Sequence, residues 1–321
     1  MHTILITRAI PASALELLRR ELPGAALALH QAERVMLRGE LLERGRDADA
    51  LICTLADTID ASILDALPKL RVVASYAVGT NNIALDIAKE RGIAVTNTPI
   101  VLTDATAETA LGLMLACARR FIEGDALTRQ GQFTGWAPLY HLGHGLYGKT
   151  AGIVGAGRIG ARVAATLARG FDCKILYCNR QRRPEFERET GAQWRTLDDL
   201  LRESDFVSLH CPLTPQTRHL IDSRALALMK PRACLVNTAR GPVVDETALV
   251  AALKAGTIAG AGLDVYENEP ALAPGLAELK NVVLLPHIGS ATHETRETMG
   301  LMCAQAVIDV LHGREPKNRV V

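Results

Sequence analysis

The stretch Thr150-Ala151-Gly152-Ile153-Val154-Gly155-Ala156-Gly157-Arg158-Ile159-Gly160 decides the fold of this chain. Its first five residues read as a β-strand. The Gly-x-Gly-x-x-Gly loop follows, and Ile159, Val163 and Leu167 then recur at helical spacing. Gly155 allows the tight turn, Gly157 lets the backbone approach a pyrophosphate, and Gly160 lets helix and strand pack closely. The helix start offers free N–H groups and the positive end of its dipole to phosphate. A glycine loop alone is weak evidence and a structural tight turn is its alternative. The strand before it and the helix after it are the context that dinucleotide binding requires.

Outward from this loop, strand-like and helix-like segments alternate, the mark of parallel α/β architecture. Strands are expected at 150–154, 174–178, 206–209, 234–237, 261–264 and 282–285. Six strands with helices between them match a doubly wound sheet. Upstream, strands at 3–7, 50–54, 72–75 and 94–96, with helices such as 12–21 and 61–67, predict a second, smaller sheet. A length of 321 residues also favours two domains. Residues 105–120 form a helix that is apolar nearly all round, which requires burial within its domain or against another subunit. The looser stretch 124–148 gathers Phe133, Trp136, Tyr140, His141, His144 and Tyr147. A core role is the first expectation for these rings, and a crossing to a partner chain is the second. A last helix spans about 292–311 and stops before Gly313 and Pro316.

The bulk composition narrows the function. A net charge of +1 argues against nucleic acid as a partner. No apolar run reaches the roughly 18 residues of a membrane span. The start, from Met1 to Thr7, reads as a strand rather than a signal peptide. Seven cysteines, an odd number without a Cys-x-x-Cys pair, predict free thiols in a reducing cytoplasm and no metal site.

The end of the strand at 174–178 selects the dinucleotide. An NAD enzyme usually places Asp or Glu about 20 residues beyond the glycine loop, on the ribose hydroxyls. Here Asn179 stands there, followed by Arg180, Gln181, Arg182 and Arg183. Asn does not repel a 2′-phosphate, and arginines can bond it with charge assistance. NADP(H) is therefore the expected cofactor, with NAD(H) as the alternative; a solvated basic loop is the plain reading of the same residues.

In doubly wound sheets, ligands lie beyond the carboxyl ends of the strands. Three polar segments fall there: Thr238-Ala239-Arg240-Gly241, Asp264-Val265-Tyr266-Glu267-Asn268-Glu269-Pro270, and Pro286-His287-Ile288-Gly289-Ser290. Hydride transfer to a 2-oxo acid needs a cation for the carboxylate, which suits Arg, and a proton donor for the carbonyl oxygen, which suits His. A carboxylate beside the His orients the ring and favours imidazolium. Taken singly, Arg240 also fits a surface ion pair, Glu269 a turn and His287 a cap.

Five ordered motifs carry a resemblance beyond the individual residues. They are the glycine loop, Asn237-Thr238-Ala239-Arg240-Gly241-Pro242-Val243-Val244-Asp245, Ala261-Gly262-Leu263-Asp264-Val265, Glu269-Pro270, and Pro286-His287-Ile288-Gly289-Ser290-Ala291-Thr292. With Ala77-Val78-Gly79-Thr80-Asn81-Asn82 near the start, the sequence resembles the D-isomer-specific 2-hydroxyacid dehydrogenases along essentially its whole length. It is most similar there to the glyoxylate/hydroxypyruvate and 2-ketogluconate reductases, through residues 286–296 and Trp136-Ala137-Pro138-Leu139-Tyr140.

The resemblance implies an α/β fold of two doubly wound parallel-sheet domains, with a Rossmann cofactor domain (99–287) inserted into a flavodoxin-like substrate domain (1–98 and 288–321). It implies that Arg240 binds the substrate carboxylate and carbonyl, and that His287, paired with Glu269, is the general acid. Amides of Val78 and Gly79 would hold the carboxylate, with Ser290 and Leu55 near the substrate. Arg158 and Ile159 would meet the pyrophosphate, and Asp264 the nicotinamide carboxamide. Asn179, Arg180, Cys211, Pro212, Thr217, Thr238, Ala239 and Gly289 would line the cofactor cleft. A homodimer would form through helix 105–120 and the aromatic loop, with Trp136 and Tyr140 as candidates to reach the partner's active site. The expected activity is NADPH-preferring reduction of a small 2-oxo acid: glyoxylate, hydroxypyruvate or 2-ketogluconate. A dinucleotide-sensing corepressor of the same fold is the rival from another class. Formate dehydrogenases share the architecture but carry Gln where Glu269 stands.

Overall fold

The computed structural model describes all residues 1–321. In chain order the first elements are β1 (Thr3–Ile6), α1 (Ala12–Glu21), β2 (Ala26–Leu29), α2 (Arg38–Gly45), β3 (Ala50–Cys53), α3 (Ala61–Ala66), β4 (Val72–Ser75), α4 (Leu85–Glu90) and β5 (Ala94–Thr96). Then come α5 (Thr103–Ala118), α6 (Phe121–Arg129), β6 (Thr150–Val154), α7 (Arg158–Phe171), β7 (Lys174–Cys178), α8 (Pro184–Thr190), β8 (Gln193–Trp194), α9 (Leu197–Glu203) and β9 (Phe206–Leu209). The chain ends through α10 (Ser223–Leu228), β10 (Cys234–Asn237), α11 (Glu246–Ala255), β11 (Gly260–Leu263), β12 (Val282–Leu284) and α12 (His293–Leu311). Two compact units result: Met1–Leu102 with Ser290–Val321, and Thr103–Gly289.

The first unit holds an all-parallel sheet in the order β2-β1-β3-β4-β5, the flavodoxin-like arrangement. Its central strands β3 and β4 are buried on both faces, as a parallel sheet demands, while the edge strand β2 is not. The returning α12 packs on α1. Gly300 permits this approach, because a Cβ there would press on Pro11 Cδ at 3.1 Å and Ala14 Cβ at 3.3 Å.

The second unit holds seven parallel strands in the order β12-β11-β10-β9-β6-β7-β8. Alternate residues of each strand serve opposite faces. Ile153, Ile175, Tyr177 and Val236 pack under α5 and α7, with Ala110, Leu113, Met114 and Leu167. Leu176, Leu209, Leu235 and Leu263 face α9, α10 and α11 on the other side. The apolar α5 lies against β11 at Gly262, whose missing Cβ would come within 2.9 Å of Leu113 Cβ.

Three readings of the sequence need correction. β2 and β8 add a strand to each expected sheet. β2 is Ala-Leu-Ala-Leu, without the β-branched residues that mark a strand, and β8 is a two-residue edge. Residues 124–129 are helical, as the end of α6. The rings of the loop that follows are not core: Trp136 is 84% exposed, and Phe133, Tyr140 and Tyr147 are exposed as well.

Candidate active site

β10, β11 and β12 are neighbours in the second sheet, so the segments leaving their carboxyl ends lie side by side. This adjacency brings residues 240, 264–269 and 287 together from three distant parts of the sequence.

After β10, Asn237 shapes the turn that presents Arg240. Its Oδ1 accepts from Ala239 N–H at 3.0 Å and its Nδ2 donates to Arg240 O at 3.0 Å. Asn237 is only 1% exposed, so these bonds leave few of its polar atoms unpaired. The next residue is Gly241, where a Cβ would overlap the Tyr266 carbonyl. Only glycine lets the Arg240 turn approach the Glu269 loop this closely. Burial lowers the Arg240 guanidinium from its ordinary value, and the Glu269 charge offsets part of that shift.

After β11, Glu269 is fixed by two bonds. Its Oε1 accepts from Tyr266 N–H at 3.0 Å, and its Oε2 accepts from His287 Nδ1–H at 2.9 Å. The Tyr266 side chain anchors the same loop by donating its hydroxyl to Leu285 O at 2.8 Å. Burial pushes the Glu269 carboxyl up. The hydrogen bond and charge of His287, the Tyr266 amide and Arg240 outweigh it, so the carboxyl is held below its ordinary value. An ionised Glu269 can only accept from Nδ1, which fixes the tautomer and leaves Nε2 of His287 free to meet a substrate oxygen.

After β12, His287 adopts φ 55°, in the left-handed region. A residue with a Cβ is held there only when its surroundings over-determine it. Asp264 supplies the constraint: its Oδ1 accepts from Ile288 N–H and its Oδ2 from Gly289 N–H, both at 2.7 Å. Asp264 is 1% exposed, and burial raises its carboxyl despite these two amides and the nearby His287. The carboxamide contact implied for Asp264 is thus joined by a structural role, that of clamping the His287 turn.

The glycine loop lies at the carboxyl end of β6, next to β9 at the point where the strand order reverses. Gly155 has φ 95°, and a Cβ there would meet Cys211 N at 2.6 Å. A Cβ on Gly160 would overlap Gly155 O, whereas Gly157 faces open space. No side chain caps α7, so its first N–H groups stay available to an anion. Arg158 and Ile159 open this helix. Thr238 is 8% exposed, and its buried Oγ1 has no partner within the chain. These residues fit a dinucleotide: an uncapped helix start, a glycine face without side chains, and an orphaned hydroxyl.

At the end of β7, Asn179 Oδ1 accepts from Ala156 N–H at 2.8 Å, which ties the strand end to the glycine loop. Of the arginines, Arg180 is exposed and Arg183 donates to Ala156 O. Arg182 is engaged in a fork with Glu187, at 3.0 and 2.8 Å. Past β9, the 212–217 loop is closed by Thr217, which donates its hydroxyl to Pro212 O at 2.6 Å and accepts from Thr214 N–H at 2.8 Å. In the first unit, Leu55 follows β3 and is half-buried. Val78 and Gly79 follow β4, where Asn97 Nδ2 donates to Val78 O at 2.8 Å. Ser290 begins the returning segment of that unit.

His210, beside Cys211, gives a pH-dependent expectation. Burial lowers its imidazole from 6.5 to about 4, and its Nε2 lies 2.9 Å from Ser208 Oγ. The fold favours the neutral ring, so its contribution is complete above 6.5 and is lost as pH falls toward 4. The loss reaches about 2 kcal/mol by about pH 5. In urea unfolding, His210→Gln should flatten the stability profile over this window. An unchanged slope would sink the assignment.

Spacing does not single out Asn237, Gly241 or Tyr266 as site residues. Asn237 and Gly241 lie inside the motif 237–245 and Tyr266 inside the segment 264–270, but their contacts depend on how close two separate loops approach.

Residues 111–289 match the family described as D-isomer specific 2-hydroxyacid dehydrogenase, NAD binding domain. The chain is 52% identical to a glyoxylate reductase of Thermococcus kodakarensis, over 99% of this chain and 95% of that one. Among solved structures, a protein of Thermus thermophilus superposes with a TM-score of 0.93 at 45% identity, covering 99% of this chain and 100% of that chain. An NADPH-dependent glyoxylate/hydroxypyruvate reductase of Sinorhizobium meliloti, in complex with NADP and malonate, gives 0.85 at 33% identity over 100% and 97%.

Proposed function

The chain belongs to the D-isomer-specific 2-hydroxyacid dehydrogenases, and from that premise we propose that it reduces glyoxylate, and with it hydroxypyruvate or 2-ketogluconate, preferring NADPH. Membership makes it an NAD(P)-dependent oxidoreductase, acting with a nicotinamide dinucleotide on a small 2-oxo acid. The observation that carries the reading is the convergence of Arg240, an ionised Glu269 and His287 at three adjacent strand ends, with Nδ1 and Oε2 2.9 Å apart.

The bound dinucleotide supplies the hydride. Arg240 binds the substrate carboxylate and holds its carbonyl carbon in place. The imidazolium form of His287 gives its Nε2 proton to the carbonyl oxygen and is left as the neutral ring with Nδ1–H on Glu269, which keeps it oriented for that transfer. Val78, Gly79, Leu55 and Ser290 take their substrate-binding roles from the family resemblance. Cys211, Pro212, Thr217, Ala239 and Gly289 take their cofactor roles on the same ground.

The NADPH preference rests on Asn179 in place of a carboxylate and on the arginines after it. The relative from S. meliloti, described as NADPH-dependent, supports it. Replacing Arg180 and Arg182 together with Ala should raise KM for NADPH about tenfold or more, with little change for NADH, since each charge-assisted bond contributes about 1.5–3 kcal/mol. Equal effects on the two cofactors would defeat the 2′-phosphate reading. Initial rates with glyoxylate, hydroxypyruvate and 2-ketogluconate, each against both cofactors, test the substrate reading. It fails if the cofactor binds and none of the three acids is reduced.

We also assign a homodimer whose interface takes in α5, α6 and the aromatic loop. Trp136, Leu139 and Phe121 are exposed apolar side chains of the loop and of α6, and burial against a second chain would cover them. The wild type should sediment at the mass of two chains, and a Trp136→Asp, Leu139→Asp double variant at the mass of one. A double variant that remains dimeric would place the interface elsewhere.

A further inference from the structure

A second histidine–carboxylate pair stands behind the catalytic loops. His219 follows the loop that holds Pro212 and Thr217, and its φ of 50° is left-handed. That conformation is uncommon for a residue with a Cβ and signals a local demand. Two bonds from one residue accompany it. The His219 backbone N–H donates to Pro242 O at 2.8 Å, two residues after Arg240. Its Nε2–H donates to Glu267 Oε1 at 2.6 Å, two residues before Glu269. Arg218 Nη2 donates to the same oxygen at 3.2 Å.

Glu267 is held from its other side as well. Its backbone N–H donates to Glu246 Oε1 at 2.7 Å, and Glu246 is 3% exposed at the start of α11. The Arg240 turn and the Glu269 loop thus share supports behind the reacting groups. His219 bonds both: it holds the first with its main chain and the second with its side chain.

We propose that His219 is a positioning residue for the reduction, acting through Glu267 on Glu269. It touches none of the groups assigned to the chemistry. Its imidazole fixes the loop from which Glu269 reaches Nδ1 of His287. Without that bond, the loop keeps Arg218, Glu246 and the Tyr266 amide to place Glu269, and a small misplacement of its carboxylate against His287 lowers turnover while the cofactor still binds. Removing the side chain leaves the bond to Pro242 intact, so Arg240 keeps its own support. The inference rests on the role proposed above for Glu269.

The test is a set of steady-state measurements with glyoxylate and NADPH, with NADPH Kd and Tm read in parallel. His219→Ala, Glu267→Ala and Glu267→Gln are compared in the wild type, and His219→Ala also in a Glu269→Gln background. His219→Ala should lower kcat about ten- to hundredfold and leave NADPH Kd within about threefold. Glu267→Gln, whose amide oxygen still accepts from Nε2–H, should keep at least about a third of kcat, and Glu267→Ala should lose as much as His219→Ala. In the Glu269→Gln background, His219→Ala should cost about twofold at most, because residues that act through one another are not additive. An unchanged kcat, equal losses in both backgrounds, or Glu267→Gln falling as far as Glu267→Ala would each overturn the proposal alone. Glu269→Gln with wild-type kcat would instead overturn the site assignment, and this proposal with it. If His219→Ala does not fold, Glu267→Ala carries the same comparison.

Discussion

Replacing His287 with Ala should lower kcat for glyoxylate reduction about a hundred- to ten-thousandfold, the range a positioned general acid contributes. NADPH affinity should change little. The side chain meets Glu269 and leaves one nitrogen for the substrate, while the amides that follow it are held by Asp264. Alanine at φ 55° keeps the backbone course but removes the proton source, and it also leaves Glu269 Oε2 without its partner. The KM for glyoxylate should rise far less than kcat falls, because Arg240 still holds the carboxylate. A kcat within threefold of wild type would remove His287 from the chemistry.

The second large effect is expected at Arg240. Arg240→Ala should lower kcat/KM for glyoxylate about a hundred- to thousandfold, the cost of leaving a partly buried charge unpaired. Both KM and kcat should move, because the same fork binds the acid and aligns its carbonyl. Arg240→Lys should recover only part of the loss, since an ammonium keeps the charge without the planar pair of donors. Removing Arg240 also withdraws one of the charges that hold Glu269 below its ordinary value, so that carboxyl moves upward. A uniform loss of NADPH binding, with glyoxylate KM unchanged, would place Arg240 on the cofactor instead.

The chemical groups of the site were legible because they sit where a parallel sheet must put them. Arg240, Glu269 and His287 follow strands whose apolar runs are plain in the sequence, and β10, β11 and β12 are neighbours. What holds those groups was not legible. The Asp264 clamp spans 24 and 25 residues, the His219–Glu267 bond spans 48, and the approach of Gly241 to Tyr266 depends on two loops meeting. Spacing fixes which residues share a strand or helix face, but it does not fix distances between loops. The same limit applies to Arg182. Its fork with Glu187, five residues on, exists only once α8 forms, and a 2′-phosphate would have to share or replace it. The aromatic loop misled for another reason. Rings predict burial, and the sequence does not say whether a second chain provides it.

The most direct test mixes the purified protein with glyoxylate and NADPH and counts glycolate formed against NADPH consumed. Continuous turnover with one glycolate per NADPH is expected, with both rates falling together by about a hundredfold or more in His287→Ala and Arg240→Ala. Tight NADPH binding with no consumption of either reactant would contradict it and leave a dinucleotide-sensing protein on an enzyme's fold.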